Sequence, residues 1–440
     1  MHGLAASSPP IRMTDATSYQ ASPGYRRLWS NRPRTAIRNA VRSWVPLLAV
    51  TLSSTLALSG CLRPYTKSVF DPTNAQFPGI TSQWHIGTSN DIRVIFVHGI
   101  CTHDPTWITA GWDVIIKGYF PSEIMTAGST SSVGQVQVID HEYQIGANKI
   151  SGRYLIWSAL TATDKAKLNY DNRPTDNPKG EFTWKRAKIN GSLKASLLND
   201  CLSDAVIYAG YRGADIQLSM QNAICAALDG TTTDGMCTFP ATYGHGNRRI
   251  VIVTESLGSR MVFDAISALK IEADRNGKNS LDAFEEAVAP ITQIYMLANQ
   301  LPILALARPT LVRAVSTPDP AAPKTPDPAT SKTPAMATAL SVLSDARAGH
   351  EKRRHDDPQL AATEPTLSLV AFTDPNDLLS YRLLTNDPAV VGANTRVVNV
   401  ITSNDYSYFG LVENPLNAHE GYDLNKDALR LLLGRSVRLE

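Results

Sequence analysis

Between Arg249 and Leu269 an apolar run stops abruptly at a serine, and a helical pattern starts directly after it. Ile250, Val251, Ile252 and Val253 are consecutive β-branched residues with no polar alternation that would give a strand a wet face. Such a run belongs to a strand buried on both sides, as in parallel sheets covered by helices. Beyond Ser256, the residues Leu257, Met261, Val262, Ala265, Ile266 and Leu269 recur at the spacing of one helix face. The segment reads strand, sharp turn, helix, with Ser256 at the bend. A serine there projects its hydroxyl clear of the sheet, and the Leu257 amide lies at a helix N-terminus, where unpaired N–H groups can hold an oxyanion.

The rest of the chain repeats the alternation. Residues 92–98 form a buried strand ending at Gly99, and residues 107–125 read as a helix shortened by Pro121. Strands are expected at 135–143, 154–157, 291–298, 367–372 and 396–401, and helices at 193–208, 214–228, 281–288 and 424–433. Residues 161–190 are a polar excursion of the kind that can cover a site. In 308–364, Thr317-Pro-Asp-Pro320 recurs as Thr325-Pro-Asp-Pro328 within a Pro/Ala/Thr-rich tract. That composition is expected to be a disordered insertion, not a boundary, because strands resume beyond it. The fold class is therefore α/β, with a mostly parallel central sheet and helices on both faces.

The N-terminus has a separate logic. Arg34, Arg38 and Arg42 precede an apolar run at 45–58, too short to span a bilayer comfortably but of signal-peptide length. Leu58-Ser59-Gly60-Cys61 follows, and it resembles a bacterial lipobox. The resemblance implies a signal peptide over 1–60, cleavage before Cys61 and lipidation of its thiol, with 61–90 as a tether. Leu62 is not the aspartate associated with inner-membrane retention, so the implied place is the outer membrane, facing the periplasm. Residues 1–60 hold seven arginines and one aspartate, so removing them takes the formal charge from +2 to −4. A weakly acidic chain has no electrostatic footprint for nucleic acid. Besides Cys61 there are Cys101, Cys201, Cys225 and Cys237, compatible with two disulfides in an oxidising compartment. Cys225 and Cys237 flank a Gly/Thr-rich loop and are the expected local pair.

Serine is a weak nucleophile alone, so Ser256 needs a base and a carboxylate to orient it. The strand at 367–372 runs into Asp374 and Asp377, and the strand at 396–401 is followed by a loop containing His419, with no other histidine beyond residue 355. Ser, Asp and His in this order, each just past a strand, resemble the α/β-hydrolase arrangement of the lipase and esterase sort over 91–440 without the insertion. The resemblance implies a Ser256–His419–Asp377 triad, with Asp374 as the alternative acid. His98-Gly99-Ile100 is similar to the family's His-Gly turn, which implies Ile100 and Leu257 amides as the oxyanion donors. Thr254-Glu-Ser256-Leu-Gly258 departs from Gly-x-Ser-x-Gly at its first position, where a small residue relieves crowding between strand and helix.

Two other constellations compete. His98, Cys101, His103 and Asp104 collect metal-ligand types, but the oxyanion turn accounts for His98 and Gly99 without a metal. His350 and His355 are five residues apart, which places them about 140° apart on a helix, so the tract reads as a solvated charge run. No cofactor is implied. The implied substrates are carboxylic esters, including lipids, given the membrane anchor at Cys61. A catalytically silent envelope module of the same fold, binding or assembling with other proteins, is the competing reading.

Overall fold

The β-branched runs become the middle of a nine-stranded sheet. In chain order the strands are β1 (Leu62–Pro64), β2 (Val69–Asp71), β3 (Asp91–Val97), β4 (Ile124–Val133), β5 (Val136–Ile145), β6 (Asn148–Ile156) and β7 (Thr231–Thr233). They continue with β8 (Met236–Thr238), β9 (Arg249–Glu255), β10 (Ile291–Leu297), β11 (Leu367–Thr373), β12 (Thr395–Ile401) and β13 (Tyr406–Tyr408). The large sheet runs β2-β12-β11-β10-β9-β3-β6-β5-β4. From β12 to β6 neighbours are parallel, whereas β2, β5 and β4 pair antiparallel at the edges. The computed structural model describes residues 62–434 apart from 65–66, 72–76, 86–89, 109–111, 114–115, 118–119, 121–123, 176, 241–248, 305, 307–334, 356–366, 385–394 and 409–410.

Both faces of the parallel strands are buried, which is why their sequences lack alternation. Ile250 and Ile252 enter one core, and Val251 and Val253 the other. The principal helices are α1 (Ala159–Ala166), α2 (Ser203–Ala209), α3 (Gly213–Ala227), α4 (Leu257–Arg275), α5 (Lys278–Val288), α6 (Ala335–His355), α7 (Pro415–Glu420) and α8 (Lys426–Leu433). The first core takes Ile224 from α3, Val262 and Ile266 from α4, Phe284 from α5 and Leu343 from α6. The second takes Leu429 and Leu432 from α8, with Ile80, Trp112 and Tyr422. Among the described residues no helix is long and apolar enough to cross a membrane. Two disulfides form, Cys101–Cys201 and Cys225–Cys237.

Three expectations are corrected. The stretch 61–90 is more than a tether: β1 pairs with β13, β2 closes one sheet edge beside β12, and Ile80 is buried. Phe70, Phe77 and Trp84 pack against the second core, with Phe77 meeting the rings of Phe70, Tyr295 and Phe372. The insertion at 308–364 contains an ordered helix, α6, whose Ala339, Val342, Leu343 and Ala346 are buried at three- and four-residue spacing. His350 lies buried against Glu286, 3.1 Å away, so that part of the charge run is not solvated. The proline repeats at 317–328 lie outside the described residues. The helix expected over 107–125 cannot reach its end, because β4 begins at Ile124, while much of 109–123 lies outside the described residues. Residues 161–190 begin inside α1 and continue as surface with Tyr170 and Trp184 exposed.

Candidate active site

Ser256 occupies the junction between β9 and α4 at φ 50° and ψ −121°, a conformation that costs a non-glycine residue roughly 1–3 kcal/mol. The surroundings impose it. The Ser256 N–H donates to the Leu297 carbonyl at 2.7 Å, tying the bend to the end of β10. A Cβ on Gly258 would stand 2.6 Å from the His98 carbonyl oxygen and 2.7 Å from that of Val97. A Cβ on Gly99 would stand 2.6 Å from the Ser256 Cβ. The glycines on both sides of this contact let the 98–100 turn touch the Ser256 bend. Thr254 fits where a smaller residue was expected, because its buried hydroxyl lies 2.8 Å from Ser259 Oγ and donates to the Tyr295 carbonyl at 3.1 Å.

His419 stands in the last turn of α7, a helix started by Asn414, whose side chain accepts the Leu416 N–H, and by Pro415. Its Nε2 lies 3.1 Å from Ser256 Oγ, and its Nδ1 lies 2.9 and 3.0 Å from the two oxygens of Asp377. All three side chains are buried. The carboxylate holds the proton on Nδ1, leaving Nε2 as the acceptor for the serine hydroxyl. Asp377 also accepts the Leu379 N–H at 2.9 Å and the Tyr422 hydroxyl at 3.2 Å. Asp374 does not face His419. It accepts the N–H groups of Asn376 and Asn404, at 2.8 and 2.6 Å, and so shapes the turn that presents Asp377.

Sequence reading missed several residues here. Tyr422 ties the two aspartates together, accepting the Asp374 N–H at 2.6 Å while donating to Asp377. Gln300 Nε2 lies 3.4 Å from His419 Nε2. Burial pushes the Glu255 carboxyl well above the usual range, and the charges of Asp423, Glu420 and Asp377 push it the same way. Asp423 is pushed up to about 6, mainly by burial. Nothing in the sequence flags these residues, since only the fold brings 255, 420 and 423 together.

The 98–104 stretch does not gather metal ligands. The His98 ring stacks on Trp157 and His103, its Nδ1 lies 2.9 Å from the Gly99 carbonyl oxygen, and its Nε2 accepts the Trp157 backbone N–H at 3.0 Å. Burial holds its pKa well below the ordinary histidine value. Cys101 is in a disulfide. Leu257 opens α4 directly after Ser256, and Ile100 follows Gly99, whose Cα side lies against the Ser256 Cβ. No family model, curated relative or solved structure matches this chain. Chemically, a hydroxyl, an oriented imidazole and a buried carboxylate in line form a proton-transfer path able to make serine nucleophilic.

Proposed function

We propose that the chain is a serine hydrolase of the α/β-hydrolase kind, cleaving carboxylic esters, and that a lipidated Cys61 tethers it to the envelope membrane. One observation carries it: Ser256, His419 and Asp377, 163 and 42 residues apart in sequence, join at hydrogen-bonding distances on a strained bend. Ser256 Oγ attacks the ester carbonyl as His419 Nε2 takes its proton, and Asp377 stabilises the imidazolium that forms. The tetrahedral oxyanion faces the amides of Ile100 and Leu257. His419 returns the proton to the leaving alcohol, and water repeats the sequence on the acyl-enzyme.

The membrane tether draws support from topology. Leu62, next to Cys61, pairs with Tyr408 across β1 and β13, and Tyr406, Tyr408, Leu411 and Val412 are exposed there. Tyrosines beside aliphatic residues suit a lipid–water interface.

The discriminating experiment is labelling with a fluorophosphonate probe, followed by turnover of a short-chain p-nitrophenyl ester. Wild type is expected to label once, at Ser256, and Ser256→Ala to lose both signals. A folded wild type that does not react, or labelling undiminished by Ser256→Ala, returns the protein to the silent-module reading. For the tether, Cys61→Ser is expected to shift the protein from the membrane fraction; unchanged attachment at the mature size refutes lipidation.

A further inference from the structure

The residue after the Ile100 amide is held by more partners than its loop position requires. Cys101 sits at φ 80° and is bound to Cys201 in the segment that leads into α2. Its N–H donates to Asp204 Oδ2 at 2.8 Å. The next residue, Thr102, donates its N–H to Asp200 Oδ2 at 3.2 Å and its hydroxyl to Asp200 Oδ1 at 2.6 Å. Asp200 and Asp204 lie about one helical turn apart, and Cys201 directly follows Asp200. Behind them Lys165 of α1, itself buried, reaches Asp200 Oδ1 at 2.8 Å, the Asp200 carbonyl at 3.0 Å and Asp204 Oδ2 at 3.2 Å. His103 completes the set by donating its N–H to Ser158 Oγ at 2.8 Å.

Upstream, the same turn is pinned by Trp157, whose indole N–H donates to the His98 carbonyl at 2.9 Å. The Gly99–Ile100 peptide is thus fixed from both ends while Gly99 rests against Ser256. Burying a lysine and a fully buried aspartate is expensive unless each is paired. Here the pair also carries a backbone N–H belonging to the turn beside the nucleophile. Surface stability alone does not call for that arrangement.

We propose that Lys165, Asp200, Asp204 and the Cys101–Cys201 disulfide form a clamp that aims the Ile100 amide at the tetrahedral oxyanion. The proposal rests on the serine-hydrolase reading above and adds positioning residues to it. None of the four touches the substrate. Their effect is on transition-state binding, so they act on kcat and leave KM in place.

The test compares wild type with Asp204→Ala, Asp204→Asn and Asp200→Ala, each as the full disulfide-bonded chain, normalised to fluorophosphonate-titrated sites. The Asp200 side chain is 39% exposed, so its variant is expected to fold even where Asp204→Ala is weakened. Losing one oxyanion donor outright costs about 10²–10³ in kcat, and partial misaiming is expected to cost roughly 10- to 100-fold. KM for the short-chain ester is expected to stay within about twofold, and an alkylboronic acid, which mimics the tetrahedral adduct, to bind more weakly by the factor lost from kcat. Asp204→Asn keeps an acceptor for the Cys101 N–H and is expected to recover most of the rate. Unchanged kcat in both alanine variants, or a raised KM at constant kcat, overturns the clamp while leaving the hydrolase reading intact. Failure of the wild type to label at Ser256 overturns both.

Discussion

Replacing Asp377 by asparagine changes one atom and reverses the hydrogen bonding of His419. In the native site Asp377 accepts three kinds of donor: the His419 Nδ1–H at 2.9 and 3.0 Å, the Leu379 N–H at 2.9 Å and the Tyr422 hydroxyl at 3.2 Å. An asparagine that keeps its carbonyl on the Leu379 N–H puts its NH2 group at the Oδ2 position, 3.0 Å from Nδ1, where a proton on Nδ1 meets amide N–H groups. Nδ1 then becomes the acceptor and the ring proton moves to Nε2, 3.1 Å from Ser256 Oγ, where it blocks proton uptake from the hydroxyl. A triad whose geometry survives with the wrong tautomer loses about 10⁴ in kcat. At 1.36 kcal/mol per decade that is about 5.4 kcal/mol of transition-state stabilisation. Packing is conserved, so the melting temperature should move little. Steady-state turnover of a p-nitrophenyl ester, with the rate of fluorophosphonate labelling as a second readout, measures the effect. A kcat within tenfold of wild type in folded Asp377→Asn would refute the assignment of Asp377 as the orienting acid.

Gly258→Ala places a Cβ 2.6 Å from one backbone oxygen and 2.7 Å from another, neither of which can rotate away. Overpacking of this kind costs about 1–3 kcal/mol, so both the melting temperature and Ser256 labelling are expected to fall; a stable, fully reactive variant refutes the close approach. Leu343→Ala tests whether α6 belongs to the core: Leu343 is 1% exposed, and the expected loss is about 2–5 kcal/mol by urea unfolding, against almost none for an unpacked insertion. Glu413 is pushed up to about 7 by burial and then by the charge of Asp374. Because the folded state holds that proton more tightly than an ordinary glutamate at about 4.3, the stabilisation is complete below about 4.3 and is lost as pH rises towards about 7. Melting temperature measured against pH should therefore decline across that window, and Glu413→Gln should flatten the decline.

The Ser256 bend, the strand and helix flanking it, and the chain order of Ser256, Asp377 and His419 were legible because burial on both sides and helical spacing leave local patterns. The choice between Asp374 and Asp377 was not. The two lie three residues apart in one turn, and only the fold aims one at His419 and the other at the N–H groups of Asn376 and Asn404. The helix α6 was hidden by the prolines before it, which dominate composition over 308–364 although 335–355 contains none. Thr254 looked crowded as a residue type and is accommodated because Ser259 and Tyr295 meet its hydroxyl.

The sequence alone determined which segments bury which faces, and hence an α/β sheet with a serine at the end of a central strand, because periodicity is a property of neighbouring residues. Tertiary structure alone decided what surrounds that serine: the Gly99 and Gly258 contacts, the tyrosine joining two aspartates, the buried acids near the triad and the lysine clamp behind Cys101. These are meetings of residues from 35 to more than 300 positions apart, as Lys165 with Asp200 or Cys101 with Glu420. Such distances carry no local periodicity, and the energy that selects them comes from burial and pairing in the folded chain.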